Sequence, residues 1–252
     1  MLIVSALGAP SKRRRRRARA RPAEPRADPE PLPLTRVTVV TPQDLGDPAE
    51  AARWLDRVAG DEEAAEAFVG AALRLVNRAL HAHGAAAQDP YTHEVSDAQA
   101  SALRVGYGEG EQVAEGLWSD ARELIRAEPR RRRAQSLQPQ ERVAAVLGGR
   151  ERVHASETLL LRARLDLDQG RAREAALQLR AGLAALLAEP TSGAGAAQRE
   201  DLDAIAARRS EVERLADAAL RRDIEPVEQA ALAHVLALCE RALRRRRLRP
   251  EL

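Results

Sequence analysis

His81, His83 and His93, with Asp89 and Glu94 near them in sequence, are the residues whose types could hold a metal ion. A zinc-binding helix carries two histidines at i and i+4, so that both imidazoles leave the same face. His81 and His83 stand two apart and point in different directions on a helix. They converge only if the helix frays at Gly84, so the expectation is a solvated helix end and loop with no metal. Gly106, Gly108 and Gly110 invite comparison with a phosphate loop. That loop needs a preceding strand, a following helix N-terminus and often a lysine. None is evident in the sequence, and no nucleotide or other cofactor is expected.

Two further residues could act as base or nucleophile. His234 falls on an apparent apolar face made of Val227, Ala231, Val235, Leu238 and Ala242, which predicts a core histidine with its hydrogen bonds met. Cys239 is the single cysteine, so an intramolecular disulfide is excluded. Nothing adjacent would activate its thiolate except arginines expected to face solvent, and the predicted role is packing. No catalytic, cofactor-binding or metal-binding residue is therefore assigned.

Arginine supplies the positive charge, since Lys12 is the only lysine. The formal net charge is only +3, while the isoelectric point is near 9.7. The basic charge is concentrated in the runs Arg13–Arg17, Arg130–Arg133 and Arg244–Arg247. Such runs could anchor nucleic acid or another polyanion. They have plainer readings: a solvated tail, a linker, and a helix C-terminus where cations complement the macrodipole. Aromatics make up 2% of the chain, too few to interleave the runs with base-stacking surfaces.

The elements that must position these residues are read as helices. The apolar 44% is mostly Ala, Leu and Val, and Ala and Leu lose little rotamer freedom in a helix. The expected class is all-α: a helical bundle followed by tetratricopeptide-like hairpins. Residues 1–36, with the first arginine run and the prolines Pro22, Pro25, Pro29, Pro31 and Pro33, are read as a disordered tail. A bundle is expected over 37–128, a linker over 129–138 and helical hairpins over 139–252. The one strand-like stretch is Thr35–Thr41, and a single run cannot make a sheet.

Asp47-Pro48 opens a helix that Gly60 ends, and Asp61 caps the next, to about His81. Ser96 and Gln99 form a capping box. Beyond it the three glycines could break the chain. The alternative, favoured here, is one helix over 96–127, in which Ala98, Ala102, Gly106, Gly110 and Ala114 form a close-packing ridge. A short helix follows from Gln140 to Leu147. Ser156 caps a helix to Gln169, Gly170 turns the chain, and a second helix runs to Ala188. A third spans 198–222, and Pro226 opens the last. Asp217–Arg221 and Glu240–Arg244 are read as outward i,i+4 pairs.

Residues 159–187 resemble a single tetratricopeptide-type hairpin through Ala163, Gly170, Ala175, Leu179 and Gly182. Arg162 and Asp166 depart from that pattern, where the repeat carries Leu and an aromatic, and no second copy appears. The wider chain resembles uncharacterised helical proteins of high-GC actinobacteria, through Val105-Gly106-Tyr107-Gly108-Glu109-Gly110-Glu111 and Trp118. That resemblance implies no activity.

The N-terminal apolar stretch Met1–Leu7 precedes the basic run, the reverse of a secretory signal, and no apolar run is long enough to span a bilayer. The expected location is the cytoplasm. By elimination the leading function is a non-enzymatic protein–protein interaction or scaffold protein, with a protein partner or self-association expected. Nucleic-acid binding through the arginine runs is the alternative, and an enzyme with an unrecognised helical active site the third reading.

Overall fold

The computed structural model describes residues 1–7, 34–124, 133–190 and 195–247, with backbone alone for 133–139 and 247. The described chain is mostly helical. It divides into two compact units, Met1–Ala127 and Glu128–Leu252.

The first unit mixes helices with two antiparallel strand pairs. Strand β1 (Leu2–Leu7) pairs with β2 (Leu34–Val39) in the register Val4 opposite Val37 and Leu7 opposite Leu34. Leu2–Leu7 and Leu34–Arg36 are thus strand, where a disordered tail is the sequence expectation. The run Leu2-Ile3-Val4 supplies the partner that Thr35–Val39 needed. The intervening residues 8–33 lie outside the described residues. Helix α1 (Pro48–Gly60) opens with a capping box, in which Glu50 N donates to Asp47 Oδ1 at 2.8 Å and Asp47 N to Glu50 Oε2 at 3.2 Å. Asp61 caps α2 (Glu62–Ala87) through the N–H groups of Glu63 and Ala64. Helix α2 passes Gly84 without fraying and stops at Gln88, which has φ 52°.

The described part of the predicted helix over 96–127, residues 96–124, is not one helix. Ser96 N does donate to Gln99 Oε1 at 2.8 Å, but the box opens a single 3-10 turn, Asp97–Gln99. The chain then forms β3 (Arg104–Tyr107), a 3-10 segment Glu111–Glu115, and β4 (Asp120–Glu123). Strands β3 and β4 pair antiparallel with Gly106 opposite Ala121. Small residues four apart fit a helix ridge and a close strand crossing equally well. The choice falls to the hairpin because Val105 and Leu124 then join Leu55 and Val58 in one core, with Trp54, Leu103 and Tyr107 against it.

The second unit is built from α3 (Arg133–Leu147), α4 (Ala155–Asp168), α5 (Ala172–Ala188), α6 (Ala196–Ala206), α7 (Arg209–Ala219) and α8 (Pro226–Arg247). The helix expected over 198–222 is divided at Ala207–Arg208. Helices α4 and α5 form an antiparallel hairpin about Gly170, whose φ of 75° suits glycine. At Gly182 an added Cβ would lie 2.9 Å from Leu160 Cδ2, so glycine permits this crossing. Leu160, Leu179, Leu183, Ile205, Val212, Leu232, Val235 and Leu236 make the common core.

Candidate functional site

A connected set of polar side chains in the second unit lies where the last turns of α8 meet neighbouring helices. Arg241 Nε donates to Asp201 Oδ1 at 3.0 Å, and Arg245 Nη1 to Asp201 Oδ2 at 2.7 Å. The Asp201 side chain is 4% exposed. A carboxylate that buried is tolerated because two guanidinium groups answer it. Arg245 also donates to the Ala197 carbonyl.

One residue further, Arg246 Nη1 donates to Glu189 Oε2 at 2.6 Å and its Nη2 to His154 Nε2 at 3.0 Å. An arginine can only donate, so the neutral imidazole keeps its proton on Nδ1, 3.7 Å from Glu189 Oε1. Glu189 also accepts from Ser156 N at 3.4 Å. The carboxylate at the end of α5 thereby serves the N-terminus of α4, where His154 is the capping residue and Ser156 is not. The Ser156 hydroxyl is buried without a hydrogen-bond partner. This cluster locks three helix ends together. It spends Arg245 and Arg246, which were candidates for polyanion contact, on internal acids. Lys12–Arg17 and Arg130–Arg132 lie outside the described residues, and Arg244 is exposed.

The same exchange recurs elsewhere. Asp217 takes Arg180 at 3.0 Å, and Glu240 takes Arg164 at 2.7 Å, in place of the predicted i,i+4 pairs with Arg221 and Arg244. Arg162 and Asp166, the two departures from the repeat pattern, answer each other at 3.3 Å, and Arg171 joins them at the α4–α5 turn. Asp166 is 1% exposed. For Asp166, an acid on an apolar helix face was the signal.

Helix α3 meets α4 through Arg142. Arg142 Nη2 reaches both oxygens of Glu157, at 2.8 and 2.7 Å, and its Nε reaches Glu151. Glu157 is buried. Three aliphatic residues close by in sequence are exposed: Val143, Leu147 and Val153, at 57%, 82% and 56%.

The histidine group does not assemble. His81 Nδ1 lies 3.8 Å from Glu94 Oε1. Asp89 instead accepts from Tyr91 N and Thr92 Oγ1. These two bonds, then the fields of His83 and His93, hold its carboxyl below the usual carboxylate range. Among the described residues no three His, Cys, Asp or Glu side chains are placed to hold a metal ion. Beneath this loop Asn77, 1% exposed, donates through Nδ2 to Val95 O and accepts from Val95 N, both at 2.9 Å. Sequence reasoning passed over it, although an Asn inside an apolar helix face needs a partner.

His234 is exposed, which corrects its reading as a core histidine. Helix α8 buries Leu232, Val235, Leu236, Cys239, Ala242 and Leu243 and leaves Val227 81% exposed. Its apolar stripe is thus rotated from the predicted one. Cys239 is fully buried, and loss of solvation pushes its thiol up to about 12. The glycine segment follows a strand, as a phosphate loop would, but leads into a 3-10 segment rather than a full helix.

No family model matches the chain, and no curated protein or solved structure matches it. No helix among the described residues is long and apolar enough to cross a membrane.

Proposed function

We propose that this chain is a non-enzymatic, cytoplasmic protein-interaction or scaffold protein. The observation that carries this reading is the outward face of α3 and the connection after it. Arg142 turns inward to a buried acid while Val143, Leu147 and Val153 stand in solvent. Exposed aliphatic side chains on α3 and in the connection after it favour a protein partner, because burying them on association gains hydrophobic free energy. The competing reading, polyanion binding, loses support at Arg244–Arg247, where two guanidinium groups are already engaged with carboxylates.

The test is co-purification with the full chain as bait, followed by reconstitution of any captured protein from purified components. Val143→Asp with Leu147→Asp should weaken that complex by roughly tenfold or more, because a buried aliphatic anchor is worth at least ~1.4 kcal/mol. Binding that ignores both substitutions would refute this surface. Capture of nucleic acid, with affinity falling steeply as salt rises and lost when Arg13–Arg17 become Ser, would favour the alternative.

A further inference from the structure

Among the described residues, the outer edge of strand β1 pairs with no other strand. Its sheet contains two strands, and β2 is the one that adjoins α2 and sends Arg36 to the Glu115 carbonyl at 3.0 Å. Val40 N donates to Met1 O. Hydrogen-bonded pairs alternate along an antiparallel ladder. Ile3, Ser5 and Leu7 therefore bond toward β2, while Leu2, Val4 and Ala6 direct their N–H and C=O groups away from it.

Natural edge strands are protected by charge, proline, bulges or a covering element. The sequence of β1, Leu-Ile-Val-Ser-Ala-Leu, has no charge and no proline. Its side chains are also open on one face: Val4 is 63% exposed and Val37, opposite it, 41%. A two-stranded ribbon is marginal in water, whereas three or more strands with an apolar face are stable.

We propose that β1 pairs antiparallel with β1 of a second copy of this chain, giving a continuous four-stranded sheet about a two-fold axis at Val4. This rests on the interaction reading above and names a partner for a different surface. With the axis at Val4, each Val4 meets its counterpart, and Leu2 meets Ala6 of the second copy. Every residue whose backbone points outward then finds a residue whose backbone also points outward, and the apolar faces of the two ribbons join.

Charge selects this orientation. Residues 8–33, which leave from Leu7 and return at Leu34, carry Lys12, Arg13–Arg17, Arg19, Arg21 and Arg26 against Glu24, Asp28 and Glu30. Antiparallel pairing sends the two departure points to opposite ends of a strand about 20 Å long, beyond the ~8 Å Debye length at physiological salt. Parallel pairing would set the two basic segments side by side. An edge without charged side chains also has no ionic hold on a phosphate backbone.

Light scattering on the eluting full chain tests the proposal. The expected mass is twice the 27.5 kDa of one chain. Val4→Lys places like charges opposite each other on the axis and should halve the mass, whereas Val4→Thr should keep the dimer. Tryptophan fluorescence checks that Val4→Lys still folds. Because Cys239 is buried, Val4→Cys adds the one reactive thiol, and a short bis-maleimide should join it to its counterpart. A cysteine at the exposed Ser210 should not be joined. A monomeric wild-type chain would overturn the pairing, as would a Val4→Lys dimer or equal cross-linking at the two sites. None of these results alters the outcome of the α3 test, which reads a different surface and a different partner.

Discussion

Gly106, Gly108 and Gly110 separate the hairpin from the helix that their spacing also allows. In the hairpin, a Cβ at Gly106 would lie 2.7 Å from the Asp120 carbonyl oxygen and 2.8 Å from Ala121 Cβ. At Gly108 it would lie 2.9 Å from Val113 Cγ2 and 3.2 Å from Ser119 N. Gly110 has open space but sits at φ 71°, ψ −171°, a region that side chains avoid. Overpacking at Gly106 and Gly108 should each cost about 1–3 kcal/mol, with Gly106 the worse because backbone must move. Strain at Gly110→Ala should cost a similar ~1–3 kcal/mol. A continuous helix would instead make Gly108→Ala stabilising by about 1 kcal/mol. With a urea slope of roughly 1–3 kcal/mol per molar, a 2 kcal/mol loss lowers the midpoint by about 1 M. Trp54 and Trp118, the only tryptophans, both lie in the first unit. Their fluorescence therefore follows the unit that the substitutions affect. A Gly108→Ala midpoint at or above that of the wild type would refute the hairpin reasoning.

Asn77→Ala should cost about 2–4 kcal/mol in the same fluorescence melts, because it leaves the Val95 N–H and C=O without their partner; a change below ~0.5 kcal/mol would show that this clamp contributes nothing. In the second unit, Arg241→Ala with Arg245→Ala strands the buried Asp201 carboxylate and should cost about 3–5 kcal/mol by helical circular dichroism. Asp201→Asn should cost less, since Arg241 and Arg245 are 46% and 42% exposed and can turn to water; the reverse order would refute the clamp. Glu228, bonded first by Arg222 and then by Glu225 N, has its carboxyl lowered to about 2 from 4.5. Its contribution to stability is therefore full above 4.5 and is lost as pH falls through about 2. A carboxyl NMR titration should show that midpoint, and Arg222→Gln should move it upward.

Features fixed by neighbours within four residues were legible in the sequence. Asp47-Pro48, Asp61 and Pro226 start helices and Gly170 makes the turn, because caps and turns bond locally. Cys239 is buried, in keeping with its reading as a packing residue with only arginines near it to activate a thiolate. Features that depend on distant residues could not be read the same way. Thr35–Val39 looked strand-like, but its partner lies at the other end of a connection of more than twenty residues. The Ser96–Gln99 box specifies one turn and says nothing of whether a helix continues. Only the packing of Val105 and Leu124 onto α1 decided that it does not. Asp217 and Glu240 each have an arginine four residues on, yet Arg180 and Arg164 on neighbouring helices take them. Which stripe of α8 is buried, and hence the exposure of His234, likewise follows from the helices that surround it. Local chemistry sets where elements begin and end; strand partners, buried faces and the pairing of charges are long-range choices made when the chain packs.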